Sequence, residues 1–170
     1  TTAYDLTHQL ELQPGQRVVI IGAGGGVGTI ATQLCVAREL QVIGVASAGK
    51  RDVVESFGAT FVPSGDGFAD RVREIVPEGA DLVVDLVGGD VLREAVPLAV
   101  DPSRVVSPAD PSVSELGGAT RQRDPHALEK LAEAVAQGMV APHVTARFPL
   151  ERAGDAIALV ESGHAIGKVV

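Results

Sequence analysis

The sequence predicts an α/β fold: a doubly wound parallel sheet with helices on both faces, then C-terminal helices and tail strands. Three observations carry this. Short Val/Ile-rich runs alternate with longer segments of helical spacing. The runs are continuously apolar, as strands buried on both faces are. A glycine-rich segment directly follows the first run. Alternating strands and helices join by right-handed crossovers into a parallel sheet, with ligands at the carboxyl ends of its strands.

Arg17–Ile21 is the first strand, entered from a Pro14-Gly15 turn. From Gly26 to Glu39 the apolar residues Val27, Ile30, Ala31, Leu34 and Cys35 recur on one helical face. Gln41–Val45 is the second strand, Lys50–Phe57 a short helix closed by Gly58, and Thr60–Val62 the third strand. Phe68–Val76 is a helix stopped at Pro77. Asp81–Asp85 is the fourth strand, Asp90–Leu98 a helix and Arg104–Val106 the fifth strand. A sixth strand would fall between Ser107 and Asp124. Its best candidate, Ala119–Arg123, is so polar that it is an edge strand or no strand. The tail gives a helix over Pro125–Gln137, a strand over His143–Phe148, a helix over Leu150–Glu161 and a strand over Lys168–Val170. The chain therefore divides into a dinucleotide-binding core, 1–125, and a helix-strand-helix tail, 126–170.

Composition narrows the function. The 170 residues suit one domain. Hydrophobic residues at 45% exclude a disordered chain, and 3% aromatics with no Trp leave the core to Val, Ile, Leu and Ala. The net charge of −8 argues against a nucleic-acid surface. One cysteine excludes a disulfide framework and an all-Cys zinc site within this chain. No apolar run reaches the ~18 residues of a membrane span, and the start carries no signal peptide, so a cytoplasmic location is expected. Thr1 in place of Met suggests that something upstream was removed.

The strongest chemical signal is Gly22-Ala23-Gly24-Gly25-Gly26-Val27-Gly28, between the first strand and a helix start. A side-chain-free turn lets backbone approach a pyrophosphate, and the helix N-terminus offers it N–H groups and partial positive charge. The spacing is not a strict G-x-G-x-x-G; from position 23 it reads Ala23-x-Gly25-x-x-Gly28. NAD-type domains place an acid at the end of the second strand to hold the ribose 2′-OH. Here Val45-Ala46-Ser47-Ala48-Gly49-Lys50-Arg51 offers a hydroxyl and two cations, with no acid before Asp52. Ser47, Lys50 and Arg51 suit a 2′-phosphate, so NADP(H) is the expected cofactor.

These residues resemble the cofactor-binding domain of the medium-chain dehydrogenase/reductase superfamily, in its zinc-independent NADPH:quinone oxidoreductase and enoyl reductase branch. Four stretches carry the resemblance: Thr1–Leu6, Pro14–Gly28, Gly79–Gly89 and Phe148–Val170. The resemblance implies a Rossmann-type fold and places Thr2 near the nicotinamide. It sets Gly25, Gly26 and Val27 along the pyrophosphate and Ser47 and Lys50 on the 2′-phosphate, with Gly22 and Gly28 also expected among the cofactor-binding residues. Val87 and Gly88 would pass the nicotinamide ribose, and Ser107 would sit by the ring. It implies hydride transfer from NADPH to a quinone or α,β-unsaturated carbonyl, with the cofactor carrying the chemistry. In the family a β-rich N-terminal domain forms the other wall of the cleft, and the tail strands return to it, so the fragment alone is expected to be inactive. A family-type homodimer is one option, against which the polar 119–123 region speaks. The alcohol dehydrogenase branch holds its zinc upstream of Thr1. The Ala23 loop and the missing acid favour the zinc-free branch, and no metal is expected here.

Other candidates are discounted. Cys35 reads as core, and Asp81 and Asp85 as structural hydrogen-bonding carboxylates. His8, His126 and His143 lack ligand spacing and read as surface residues, His164 as a packing residue. No catalytic residue can be named. Two alternatives stay open. One is an enoyl reductase domain of a polyketide-type synthase, where Lys50 would lie near the substrate. The other is an NADPH-binding or sensing module without turnover.

Overall fold

The computed structural model describes residues 1–163 and 165–170. The main sheet is five-stranded and entirely parallel, in the order β3-β2-β1-β4-β5. Its strands are β1 (Arg17–Ile21), β2 (Gln41–Ala46), β3 (Thr60–Pro63), β4 (Leu82–Asp85) and β5 (Val105–Val106). The helices are α1 (Thr2–His8), α2 (Gly28–Ala37), α3 (Arg51–Ser56), α4 (Phe68–Ile75), α5 (Gly89–Ala95), α6 (Ala127–Ala136) and α7 (Ala153–Glu161). The order reverses at β1, where the chain first runs outward through β2 and β3 and then returns to β4. That reversal leaves a crevice above the carboxyl end of β1.

Strand periodicity sorts the core into two layers. Val18, Ile20, Val42, Leu82, Val84 and Val106 face one side, in a cluster with Leu6 of α1 and Ile30 and Leu34 of α2. Val19, Ile21, Ile43, Val45, Val83 and Val105 face the other, against Phe68 and Val72 of α4 and Leu92 of α5. Central strands buried on both faces explain the unbroken Val/Ile runs. Ala134 and Val140 join the first layer, so α6 is packed into the same core as α1.

At the β5 edge the structure decides between an edge strand and no strand. The Ala119–Arg123 region contributes one isolated bridge, Val106 to Ala119, and no strand. The region is held at α1 instead: the Thr120 carbonyl accepts from Gln9 Nε2 at 3.2 Å, and Arg121 Nε donates to Asp5 Oδ2 at 2.7 Å. The tail strands β6 (Val144–Ala146) and β7 (Lys168–Val169) pair with each other in a separate two-stranded parallel sheet. The predicted packing role of His164 lies outside the described residues. Among the described residues no helix is long and apolar enough to cross a membrane.

Candidate functional site

At the end of β1 the chain turns at Gly22, with φ +86°. The N–H groups of Gly22 and Ala23 both donate to Val45 O, at 2.9 and 3.0 Å, which anchors the loop to β2. A Cβ on Gly28 would fall 2.3 Å from Gly22 O and 2.6 Å from Ala23 Cα. Glycine at 28 therefore lets α2 start directly against the end of β1. Among the described residues, the N–H groups of Gly24, Gly26 and Val27 donate to no carbonyl. Unpaired amides beside a helix N-terminus form an anion cradle.

Above this loop lies a cleft of about 910 Å³. Ser47 and Lys50 line it beyond β2, Ser64 and Gly65 beyond β3, and Leu86 and Val87 beyond β4. The tail supplies a further side through Gly163, Ala165, Gly167 and Lys168. Lys50 lies over Gly24: a Cβ there would meet its Cδ at 2.6 Å. Its Nζ donates to Ala165 O at 2.9 Å and Gly163 O at 3.4 Å. Partial burial pushes its pKa below the ordinary lysine value. An ammonium has three donors, so one N–H is left for a ligand. Gly167 N donates to Gly24 O at 3.1 Å, which brings Lys168 onto the loop; its Nζ lies 3.4 Å from where a Gly26 Cβ would be.

Of the predicted site residues, Gly22, Gly25, Gly26, Val27, Ser47, Lys50 and Val87 line the cleft. Gly28 lies below it as the packing glycine, and Gly88 lies just past Val87, its N–H turned to Asp85. Three others lie outside the lining. Thr2 opens α1. Arg51 is held away by Glu55 at 2.9 Å and by the Phe61 ring, 4.4 Å from its guanidinium carbon. Ser107 ends β5 as expected, but it is fully buried and its Oγ donates to Asp85 Oδ2 at 2.7 Å. Sequence reasoning missed Ser64 and Lys168 as lining residues. No local signal in the sequence marks Lys168, because its approach to the glycine loop depends on tertiary folding.

The discounted residues are structural. Cys35 is buried, and burial pushes its thiol up to about 12. Asp81 accepts from Gln16 Nε2 and Arg17 N, both at 2.8 Å. His126 faces Glu129 at 3.2 Å, and His143 meets the Phe57 ring edge-on with centroids 5.8 Å apart. His8 is half-buried, a correction to the surface assignment: its ring stacks on Tyr4 at 3.8 Å. A zinc site does not fit these residues. Among the described residues no three His, Cys, Asp or Glu side chains converge, and the one thiol is sealed in the core.

A crevice at the switch point of a parallel sheet, floored by a glycine turn and a helix start, defines a Rossmann-type domain. A family model described as zinc-binding dehydrogenase matches residues 57–170. The chain belongs to that family, and so to the medium-chain dehydrogenase/reductase superfamily, as its cofactor-binding domain. It is 28% identical over 197 residues to a quinone oxidoreductase-like protein 2 homolog of Nematostella vectensis, covering 99% of this chain and 54% of the relative. It is 30% identical over 193 residues to the mycoketide-CoA synthase of Mycobacterium tuberculosis, covering 100% of this chain and 5% of the synthase. The solved quinone oxidoreductase from Coxiella burnetii superposes with a TM-score of 0.82 at 26% identity, over 99% of this chain and 56% of that one. The chain thus spans about half or less of the length of these relatives.

Proposed function

We propose that this chain is the NADPH-binding domain of an oxidoreductase that reduces a quinone or α,β-unsaturated carbonyl of small-molecule size. The observation that carries the reading is the end of β2, where the cleft presents Ser47 and Lys50 and the sequence has no acid before Asp52. An acid there would repel a 2′-phosphate; a hydroxyl and a partly desolvated ammonium attract it. NADPH, when bound, supplies the hydride.

The chain's own residues bind and orient. Amides at Gly24, Gly26 and Val27 take the pyrophosphate, with the Lys168 ammonium beside them. Leu86, Val87 and Val91 give the β4 side an apolar wall that sheds water from the nicotinamide half. Among the described residues the lining contains no Asp, Glu, His, Cys or Tyr. In this reading the proton that accompanies the hydride comes from solvent or from a second, substrate-binding domain. Residues 1–125 form the nucleotide core in this reading, 126–170 the connection. A family-type homodimer is disfavoured in this reading, because the 119–123 region meets β5 through one isolated bridge at Ala119 and offers no strand to pair across an interface.

Titration of the chain with NADPH and NADH tests the assignment. Lys50→Ala should weaken NADPH binding about tenfold and NADH binding less than about twofold. Arg51→Ala should change neither, since Arg51 is held on Glu55 and Phe61. Equal losses for both nucleotides in the Lys50 variant would overturn it. A second reading, an enoyl reductase domain of a polyketide-type synthase, is favoured by the 30% identity over the whole chain to mycoketide-CoA synthase. Turnover by the full-length protein separates the readings: quinone reduction supports the first, enoyl-thioester reduction the second. NADPH binding without either points to a sensing module.

A further inference from the structure

We infer that Asp85 and Ser107 form a positioning pair that sets the β4 wall of the cleft for the nicotinamide half of the cofactor. The inference rests on the dinucleotide reading above. Both residues are 0% exposed. Asp85, the last residue of β4, accepts through both oxygens of its carboxylate. Oδ1 accepts from Val87 N at 3.0 Å and Gly88 N at 3.1 Å; Oδ2 accepts from Gly88 N at 3.0 Å and from the Ser107 hydroxyl at 2.7 Å. Ser107, next after β5, accepts in turn from Ala109 N and Asp110 N, both at 3.2 Å. Asp110 Oδ2 closes the circuit by accepting from Gly89 N at 2.9 Å. One buried carboxylate and one hydroxyl thus lock together the loops that follow β4 and β5.

A carboxylate taken out of water needs such partners, and an apolar side chain would fill the same space without needing them. What the carboxylate adds is direction. It fixes the N–H vectors of Val87 and Gly88, and Gly88 stands at φ +83°, ψ −171°, open only to glycine. Those constraints aim Leu86 and Val87, and Val87, 54% exposed, stands in the cleft wall. Strand order assigns the half of the ligand this wall meets. A dinucleotide whose phosphates lie over β1 and whose 2′-phosphate lies by β2 must extend its other half over β4.

The test compares two ligands on the full chain: NADPH, and 2′,5′-ADP, which carries only the adenosine half. Ser107→Ala removes the hydroxyl and leaves the amides of Ala109 and Asp110 without an acceptor. It should weaken NADPH about tenfold, change the fluorescence of bound NADPH, and leave 2′,5′-ADP within about twofold. Asp85→Asn, which keeps shape but not acceptors at both positions, should give the same split and serves if Ser107→Ala fails to fold. Equal losses for the two ligands, or none for either, would overturn the positioning role. Failure of the unaltered chain to bind 2′,5′-ADP would instead overturn the NADPH reading on which the inference rests.

Discussion

Arg121 Nη2 stands 2.6 Å from Asp5 Oδ2, and the same Asp5 oxygen accepts from Arg121 Nε across 116 residues of sequence. The other oxygen accepts from Asp124 N at 3.1 Å, and Asp5 is 2% exposed. A buried carboxylate on α1 therefore clamps the polar segment that follows β5. It does there what a strand ladder would otherwise do.

Removing one partner of a buried pair strands the other's charge. Arg121→Ala should therefore destabilise the chain by about 2 kcal/mol, somewhat less than a fully buried pair because Arg121 is partly exposed. Asp5→Asn in the same chain should recover part of the loss, since no charge is then left unpaired. Urea denaturation of the single and double variants measures both. An Arg121 variant as stable as the unaltered chain would remove the clamp from the account.

That clamp also marks where the sequence stops being legible. The central strands could be read because each is an apolar run between turn signals, and burial on both faces is written into every residue from Val18 to Ile21. The glycine loop was readable because its chemistry is local. What failed depended on contacts across the chain. Nothing in Arg121 announces Asp5, and nothing in Lys168 announces Gly26. Arg51 was assigned to a phosphate because it follows Lys50, yet the turn into α3 carries it onto Phe61. Ser107 was placed at the end of β5, but its direction is set by Asp85, 22 residues earlier in sequence and adjacent in the sheet.

Gly25 and Gly28 should separate ligand from fold. A Cβ on Gly25 meets only Gly22 O, at 3.4 Å, whereas one on Gly28 meets backbone at 2.3 Å. Gly25→Ala should keep stability within about 0.5 kcal/mol while weakening NADPH about tenfold, because the methyl enters the phosphate cradle. Gly28→Ala should cost about 2 kcal/mol or more, as α2 must move off β1. Thermal melts with and without NADPH distinguish the two.

His8 gives the pH dependence a sign. Its Nδ1 lies 2.9 Å from Tyr4 O, its ring stacks on Tyr4, and burial is the main cause that lowers its pKa. The Tyr4 carbonyl opposes the shift, while Arg38 and Lys130 add to it. Between the folded value and the ordinary value of about 6.5, the unfolded chain binds the proton and the folded chain does not. Stability should therefore fall as pH drops below about 6.5 and stop falling on this account below the folded value. His8→Phe keeps a stacked ring without the titration, so it should lose less stability than the unaltered chain between about pH 7.5 and 5. Equal losses in urea titrations at the two pH values would exclude His8 as a source.

Cys35 turns these differences into a rate. Its thiol is fully buried on α2, and burial pushes its pKa up to about 12, far above the ~8.5 of a free cysteine. An alkylating reagent at about pH 8 meets neither a thiolate nor an open path until the core opens. When reclosing outruns the chemistry, the labelling rate follows the population of the open form. A loss of about 2 kcal/mol in Arg121→Ala should then speed labelling about thirtyfold, at about 1.4 kcal/mol per factor of ten. Mass-spectrometric counting of iodoacetamide adducts reads this directly. If Cys35 in the unaltered chain were labelled as fast as in urea, α2 would not be sealed against the sheet. If both chains were labelled equally slowly, the Asp5 clamp would lie outside the unit whose opening exposes α2.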